Sequence, residues 1–246
     1  MTHSRLKVFL LTAVAATVLA GCHNHFAFYK VTPAEVDFQA QVKGQLDTAP
    51  KGVHLLAITH FANPVEKQHG GTVKKIQDRN EHLNWYSIEQ TAAEPLRTVR
   101  FKNQFGQHSV RIQNPRSLLV PAQKTSDPDS SFPESLDHYK CYEVVDVPLA
   151  PDLPVVTLVD QFGTEQSLQV ELPQFFCLPV SKQIPGAAPE PIKNEKNHLA
   201  IYKLPERPKD VTISTRDQFG DKDLEVNLLV FLAVPTEKQA VVPAPP

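Results

Sequence analysis

The residues of this 246-residue chain with chemistry to offer are ten histidines, three cysteines and five tyrosines. Four histidines recur in one setting, each four residues before a tyrosine: His25 with Tyr29, His82 with Tyr86, His138 with Tyr142, and His198 with Tyr202. A second string comes after each pair. It reads Asn103-Gln104-Phe105-Gly106, Asp160-Gln161-Phe162-Gly163 and Asp217-Gln218-Phe219-Gly220, with a decayed version, Lys43-Gly44-Gln45-Leu46, in the first copy. A third, Pro-x-x-Lys, closes each copy at Pro64–Lys67, Pro121–Lys124, Pro179–Lys182 and Pro235–Lys238. Histidines bind metals when acids, thiols or further histidines lie at short, regular spacing. His23 with His25, and His54 with His60 and His69, are the remaining candidate groups, and neither has such partners. Nucleophilic catalysis needs a Ser or Cys beside a base, and no G-x-S-x-G occurs. A catalytic group is normally singular, whereas the residues that stand out here stand in every copy. The expectation is a non-enzymatic protein without metal or cofactor, in which the repeated residues are structural. The alternatives are a loop, D-Q-F-G, that cradles a protein or glycan ligand, and an enzyme or metal site in the unrepeated residues 53–70.

The elements that position these residues are set by periodicity. Upstream of each Q-F-G, apolar residues fall at even offsets: Val99, Phe101 and Phe105; Val156, Leu158 and Phe162; Val211, Ile213 and Phe219. Period two is a strand with one buried face. Gly106, Gly163 and Gly220 sit where the chain must reverse, and alternation resumes at once, as in Leu224, Val226 and Leu228. Asp or Asn three residues earlier can bond the backbone of the turn. D-Q-F-G is therefore the end of a strand and the start of its turn. With 22 prolines against 9 glycines, long helices are excluded and short strands favoured. The fold class is all-β: four tandem antiparallel repeats packed as sandwich- or barrel-like domains. Two domains of two copies each, 22–124 and 137–238, would be joined by a linker, 125–136; one pseudo-fourfold assembly is the alternative. Residues 72–83 could hold a short helix, Pro-x-x-Lys should end a strand, and residues 239–246 should be disordered.

Cys141 and Cys177 both lie in the third copy, and the equivalent positions elsewhere are Phe28 with Ala62, Trp85 with Leu119, and Ile201 with Ala233. A cysteine pair matched by apolar pairs marks a buried contact between the first and last strands of a copy. An even pair in an oxidising compartment then predicts a disulfide.

The compartment is indicated by the first residues. Arg5 and Lys7 precede an apolar run, Val8 to Leu19, as in a secretory signal. The ending Leu19-Ala20-Gly21-Cys22 resembles the lipobox of bacterial lipoproteins. That resemblance implies cleavage of residues 1–21, lipidation of Cys22 and attachment to the cell envelope, and His23 after the cysteine leans toward the outer membrane. A plain secretory signal with a chance cysteine is the other reading. Losing Arg5 and Lys7 takes the formal charge from −2 to −4, and no basic cluster suits nucleic acid. The string H-x-x-C-Y, D-Q-F-G, F-C-x-P-x-x-K resembles an uncharacterised domain of secreted and surface proteins of bacteria. The third copy matches best and the first departs most. The resemblance implies fold and location, and no activity.

Overall fold

The computed structural model describes residues 24–90, 93–147 and 153–243. The signal residues 1–21, Cys22 and residues 244–246 lie outside the described residues. Those described form twelve strands and no helix. The first copy supplies β1 (His25–Gly44) and β2 (Lys51–His69), followed by the short β3 (Thr72–Lys74). The second supplies β4 (His82–Gln90), β5 (Arg97–Asn103) and β6 (Gly106–Lys124). The third is β7 (His138–Asp146), β8 (Val155–Asp160), β9 (Gly163–Gln169) and β10 (Pro173–Gln183). The fourth is β11 (His198–Asp217) and β12 (Gly220–Pro243).

Each His-x-x-x-Tyr strand pairs on one edge with the last strand of its own copy and on the other with the last strand of the preceding copy. β1 lies between β2 and β12, β4 between β6 and β2, β7 between β10 and β6, and β11 between β12 and β10, all antiparallel. These pairings close into a ring of eight strands, the number whose interior side chains just fill. Closure removes the sheet edges that an open repeat array would expose. The two halves expected as separate domains thus share one ring, in the pseudo-fourfold arrangement. The physical reason is that each last strand carries pairing groups on both edges, and the next copy's first strand satisfies the second.

Alternation along the ring strands sorts side chains onto two faces. Phe26, Phe28, Leu83, Trp85, Tyr139, Cys141, Leu199 and Ile201 join Ala62, Leu119, Cys177 and Ala233 in one buried cluster drawn from all four copies. This face is the lumen. Trp85 reaches Phe28 of the first copy, Phe175 of the third and Phe231 of the fourth, at ring-centroid distances of 5.2, 5.0 and 5.8 Å. Only a residue pointing inward can touch all three other copies. The Cys141–Cys177 disulfide lies in this lumen, across a β7–β10 register pair. The other face carries Ala27, Tyr29 and Val31 and their counterparts, in the larger cluster.

The hairpins cover that second face by crossing to the opposite copy. The hairpin of copy one pairs with β10, that of copy two with β12, that of copy three with β2, and that of copy four with β6. Here the prolines find their reason. β2 pairs with β4 as far as Ala62 and with β8 from Glu66. β6 pairs with β7 as far as Leu119 and with β11 from Gln123. β10 pairs with β11 as far as Cys177 and with β1 from Val180. β12 pairs with β1 as far as Ala233 and with β5 from Glu237. Pro64, Pro121, Pro179 and Pro235 each stand in the gap, where no neighbour asks for a backbone N–H. A proline, which has none, is tolerated in a central strand only at such a place.

Three local expectations are corrected. Pro-x-x-Lys does not break its strand at the proline: against a new neighbour the strand runs on to Lys124 in β6, as expected, but to His69 in β2, Gln183 in β10 and Pro243 in β12. Residues 72–74 are the strand β3, which Gly70 and Gly71 turn back onto β2, at φ of 54° and 74°. Residues 239–243 continue β12, with Val241 opposite Val99 and Pro243 opposite Arg97, because β5 offers them a free edge.

Candidate functional site

The hairpin tips bring the repeated residues together from three copies at a time. Each tip is built as its sequence suggests. Asp160, Asp217 and Asn103 each accept the N–H of the phenylalanine two residues on, at 2.8, 2.8 and 2.9 Å. Gly163, Gly220 and Gly106 come next at φ of 118°, 108° and 113°, which side chains resist.

The second oxygen of each tip residue, or its amide, meets the tyrosine two copies away. Tyr29 donates to Asp160 at 2.7 Å, and Tyr86 to Asp217 at 2.7 Å. Asn103 donates to the Tyr202 hydroxyl at 2.8 Å. Asn63 and Asn84 add bonds to Asp160 and Asp217, at 3.2 and 2.8 Å. Burial pushes both carboxyls up, against the pull of these donors. Burial and the facing carboxylates push Tyr29 and Tyr86 far above the ordinary phenol value. Each pair is thus a neutral phenol donating to a carboxylate, an arrangement that holds position.

Each tip also fits the histidine and lysine of the preceding copy. Gln104 Nε2 meets His25 Nε2 at 2.5 Å, Gln218 meets His138 at 3.4 Å, and His198 meets Gln45 at 3.3 Å. Gln161 instead bonds Asn63 and receives Lys124, and Lys238 bonds Gln45. The tip phenylalanines lie under the lysines: Lys67 over Phe105 at 4.7 Å, Lys124 over Phe162 at 5.4 Å, and Lys182 over Phe219 at 5.3 Å. The same rings lie edge-on to the tyrosines at 5.0 to 5.4 Å. Burial, then nearby lysines, lowers His25 to about 3 and His82 and His198 to about 4, and sends His138 well down. All four are neutral at physiological pH.

Copy one has Gly44 where the others have Asp or Asn, and its socket is built differently. Asp47, three residues on, accepts the Gly44 N–H at 2.8 Å and Lys140 Nζ at 2.7 Å. Lys51, Glu94 and Arg97 complete the cluster, in which the Asp47, Glu94 and Lys140 side chains are fully buried. Burial opposes ionisation of Glu94, yet bonds from Lys51, Gln90 and Arg97 and the charge of Lys140 hold it at about 2. Tyr142, the counterpart of Tyr86, has a buried hydroxyl with no hydrogen-bond partner among the described residues. Lys140, Asp47 and Glu94 escaped the sequence reading because they belong to one copy each. A lysine in phase with the repeat tyrosine, Tyr142, on the face that the hairpins cover, was the available signal.

The unrepeated histidines stay apart along β2. His54 pairs with exposed Asp37 at 2.7 Å, His60 lies tilted against Trp85 at 4.8 Å, and His69 meets the Val155 carbonyl at 3.0 Å. Among the described residues no three His, Cys, Asp or Glu are grouped to hold a metal ion. Lys67 is buried, and among the described residues its Nζ has no hydrogen-bond partner. Burial, with Lys74 nearby, brings it down to about 7.

No curated protein and no solved structure matches the chain. A family model described as a repeat of unknown function (DUF7450) matches residues 82–235, from the histidine of copy two to the Pro-x-x-Lys proline of copy four. That match spans more than half of the chain, and the protein therefore belongs to the DUF7450 family of repeats of unknown function.

Proposed function

We propose that this is a lipid-anchored protein of the bacterial cell envelope, on the outer membrane, whose β ring is a non-enzymatic scaffold or binding module for a protein or glycan. One observation carries the reading. The residues shared by the copies are consumed in holding copy to copy, through the Tyr–Asp, His–Gln and Lys–Phe contacts. What remains for function is the outside of a rigid frame. The anchor rests on Leu19-Ala20-Gly21-Cys22. Cys22 is two residues before Asn24, which is buried and bonds the Asp78 carbonyl at 2.6 Å at the start of β1. A lipid there would hold the hairpin-tip end of the ring close to the membrane, and two or three acyl chains on one residue suffice for stable anchoring.

The test is the Cys22→Ala chain expressed in its own envelope. It should move from the membrane to the soluble fraction, and the native amino-terminal peptide should carry the mass of its acyl chains. Unmodified Cys22 with unchanged partition would rule the anchor out. The rival reading, an enzyme or metal site within 53–70, needs His54, His60 and His69 to converge, and their separate partners give it no support.

A further inference from the structure

The pseudo-symmetry of the ring makes four positions equivalent: the place just beyond the Pro-x-x-Lys lysine of each last strand, beside the hairpin of the opposite copy. The register is the same in all four, with Lys238 opposite Phe101, Lys67 opposite Leu158, Lys182 opposite Val42, and Lys124 opposite Thr215. Beyond the lysine the four copies diverge. In β12 the chain stays extended, and Ala240, Val241, Val242 and Pro243 pair with Arg100, Val99, Thr98 and Arg97 of β5. After β6 a turn takes over, and Ser126 donates to the Ser214 carbonyl at 3.3 Å.

At the other two positions the pairing stops and a groove opens. β2 leaves β8 after Gln68, opposite Thr157, and turns away at Gly70 and Gly71. Beyond it Val155 and Val156 line an open groove of about 330 Å³, with His69, Thr72 and Val73 on the far wall. β10 leaves β1 after Gln183, and a groove of about 310 Å³ lies beside Gln39 and Ala40. Both grooves are slots that the equivalent position on β5 fills with a strand.

The first groove lies along a stretch of β8 edge that no strand covers among the described residues. Val155 and Val73 are 52% and 45% exposed, two apolar side chains facing one opening. The Val155 carbonyl takes its hydrogen bond from the His69 ring, a side chain standing where a neighbouring backbone N–H would come. An added strand gains main-chain bonds from such an edge and specificity from alternate side chains.

We propose that the groove beside Val155 binds an extended, uncharged segment of another protein, rich in Ala, Val and Pro, as a short strand antiparallel to β8. The chemistry of the segment is read from Ala240–Pro243, the segment seen in the equivalent slot. This chain's own tail is paired with β5 as far as Pro243, and the occupant proposed is a segment of a partner protein. The inference rests on the binding-module reading and gives it a partner class and a surface.

The test uses the full mature chain with its disulfide intact and, as probe, a capped peptide with the uncharged sequence of residues 239–243. Titration followed by NMR should give saturable shifts centred on Val73, Val155 and Val156. Val155→Lys and Val73→Glu change exposed side chains, so both variants should keep the parent's Tm while weakening the peptide by at least about tenfold. No shifts at millimolar peptide, or shifts unaffected by the two variants, would overturn the proposal. Shifts confined to β5 would also overturn it, by showing that the probe displaces the tail. So would dimerisation without peptide that Val155→Lys abolishes, since the occupant would then be a second copy. The fractionation of Cys22→Ala is independent of all these outcomes, so failure of the groove and failure of the anchor are separately visible.

Discussion

Two sockets of the ring do the same job with different chemistry. Where copy four meets copy two, Tyr86 and Asn84 converge on Asp217 at 2.7 and 2.8 Å, two neutral donors on one carboxylate. Where copy one meets copy three, the tip has lost its Asp, and Asp47 reaches back from three residues downstream to a buried lysine, Lys140. The tyrosine of that socket is left idle. The comparison teaches that the packing requires a polar partner at a point in space beneath the facing strand, a carboxyl group in three sockets and the Asn103 amide in the fourth. Its position in the sequence and the donor it meets are negotiable. The exchange has a consequence for stability. A neutral donor can be lost with modest effect, whereas one member of a buried ion pair cannot.

Acid should act on the sockets collectively and give the largest effect. His25, His82, His138 and His198 hold their folded values far below the unfolded value of about 6.5. Above pH 6.5 neither state binds these protons. As pH falls from 6.5 toward 4, the unfolded chain takes up protons that the folded protein refuses, so stability is lost across that window, by on the order of 3 kcal/mol for each of His25, His82 and His198, with His138 acting in the same direction. Urea denaturation at pH 7.5, 6 and 4.5 measures this, and a flat profile would show the imidazoles to be solvated. Single His→Gln variants would then say which sockets respond.

Lys140→Met comes next. It leaves Asp47 and Glu94 buried with less compensation and should cost about 3–5 kcal/mol. The double variant Lys140→Met/Asp47→Asn should recover most of that loss. If the single variant denatures at the parent's urea midpoint, the ion pair is not holding the first copy.

The disulfide separates the third copy from its siblings, which carry apolar pairs at the same place. Cys141 and Cys177 are 36 residues apart, and the loop they close is worth about 4 kcal/mol in the chain-entropy model. Because Ile201 and Ala233 hold the equivalent pair without a bond, Cys141→Ile/Cys177→Ala should recover part of the stability that Cys141→Ala/Cys177→Ala loses. Equal Tm values for the two double variants would show that packing contributes nothing at this site.

The most discriminating comparison is also the smallest. Tyr86→Phe removes a donor from a buried carboxylate and should cost about 1–3 kcal/mol. Tyr142→Phe removes a hydroxyl that has no hydrogen-bond partner among the described residues, and should change stability by less than about 0.5 kcal/mol. Equal losses in the two would mean that the idle tyrosine has a partner, such as a bound water, and that the sockets are more alike than their side chains suggest.

Much of this was legible in the residues themselves. The alternation of Val99, Phe101 and Phe105 marked strands, Asp217 and Gly220 marked the turn, and the match of Cys141 and Cys177 to apolar pairs marked a first-to-last strand contact. Each rests on interactions within a few residues, or on comparison of one copy with the next. The fate of Pro64 was not legible. A proline in a strand reads as an exit, and only the handover from β4 to β8 shows it standing where no donor is needed. Nor was Lys140, since its partner lies two copies away and appears once.

The repeat, the strand faces, the hairpin turns and the bonded cysteines were thus determined by sequence alone, because backbone preference and side-chain alternation act over a few residues. The closure of eight strands into a ring, the crossing of each hairpin to the opposite copy and the pairing of residues 240–243 with β5 were decided only in three dimensions. Every strand edge in the chain carries the same N–H and C=O groups. Which edge meets which is therefore settled by twist, closure and the filling of the lumen around Trp85, none of which a local stretch of residues contains.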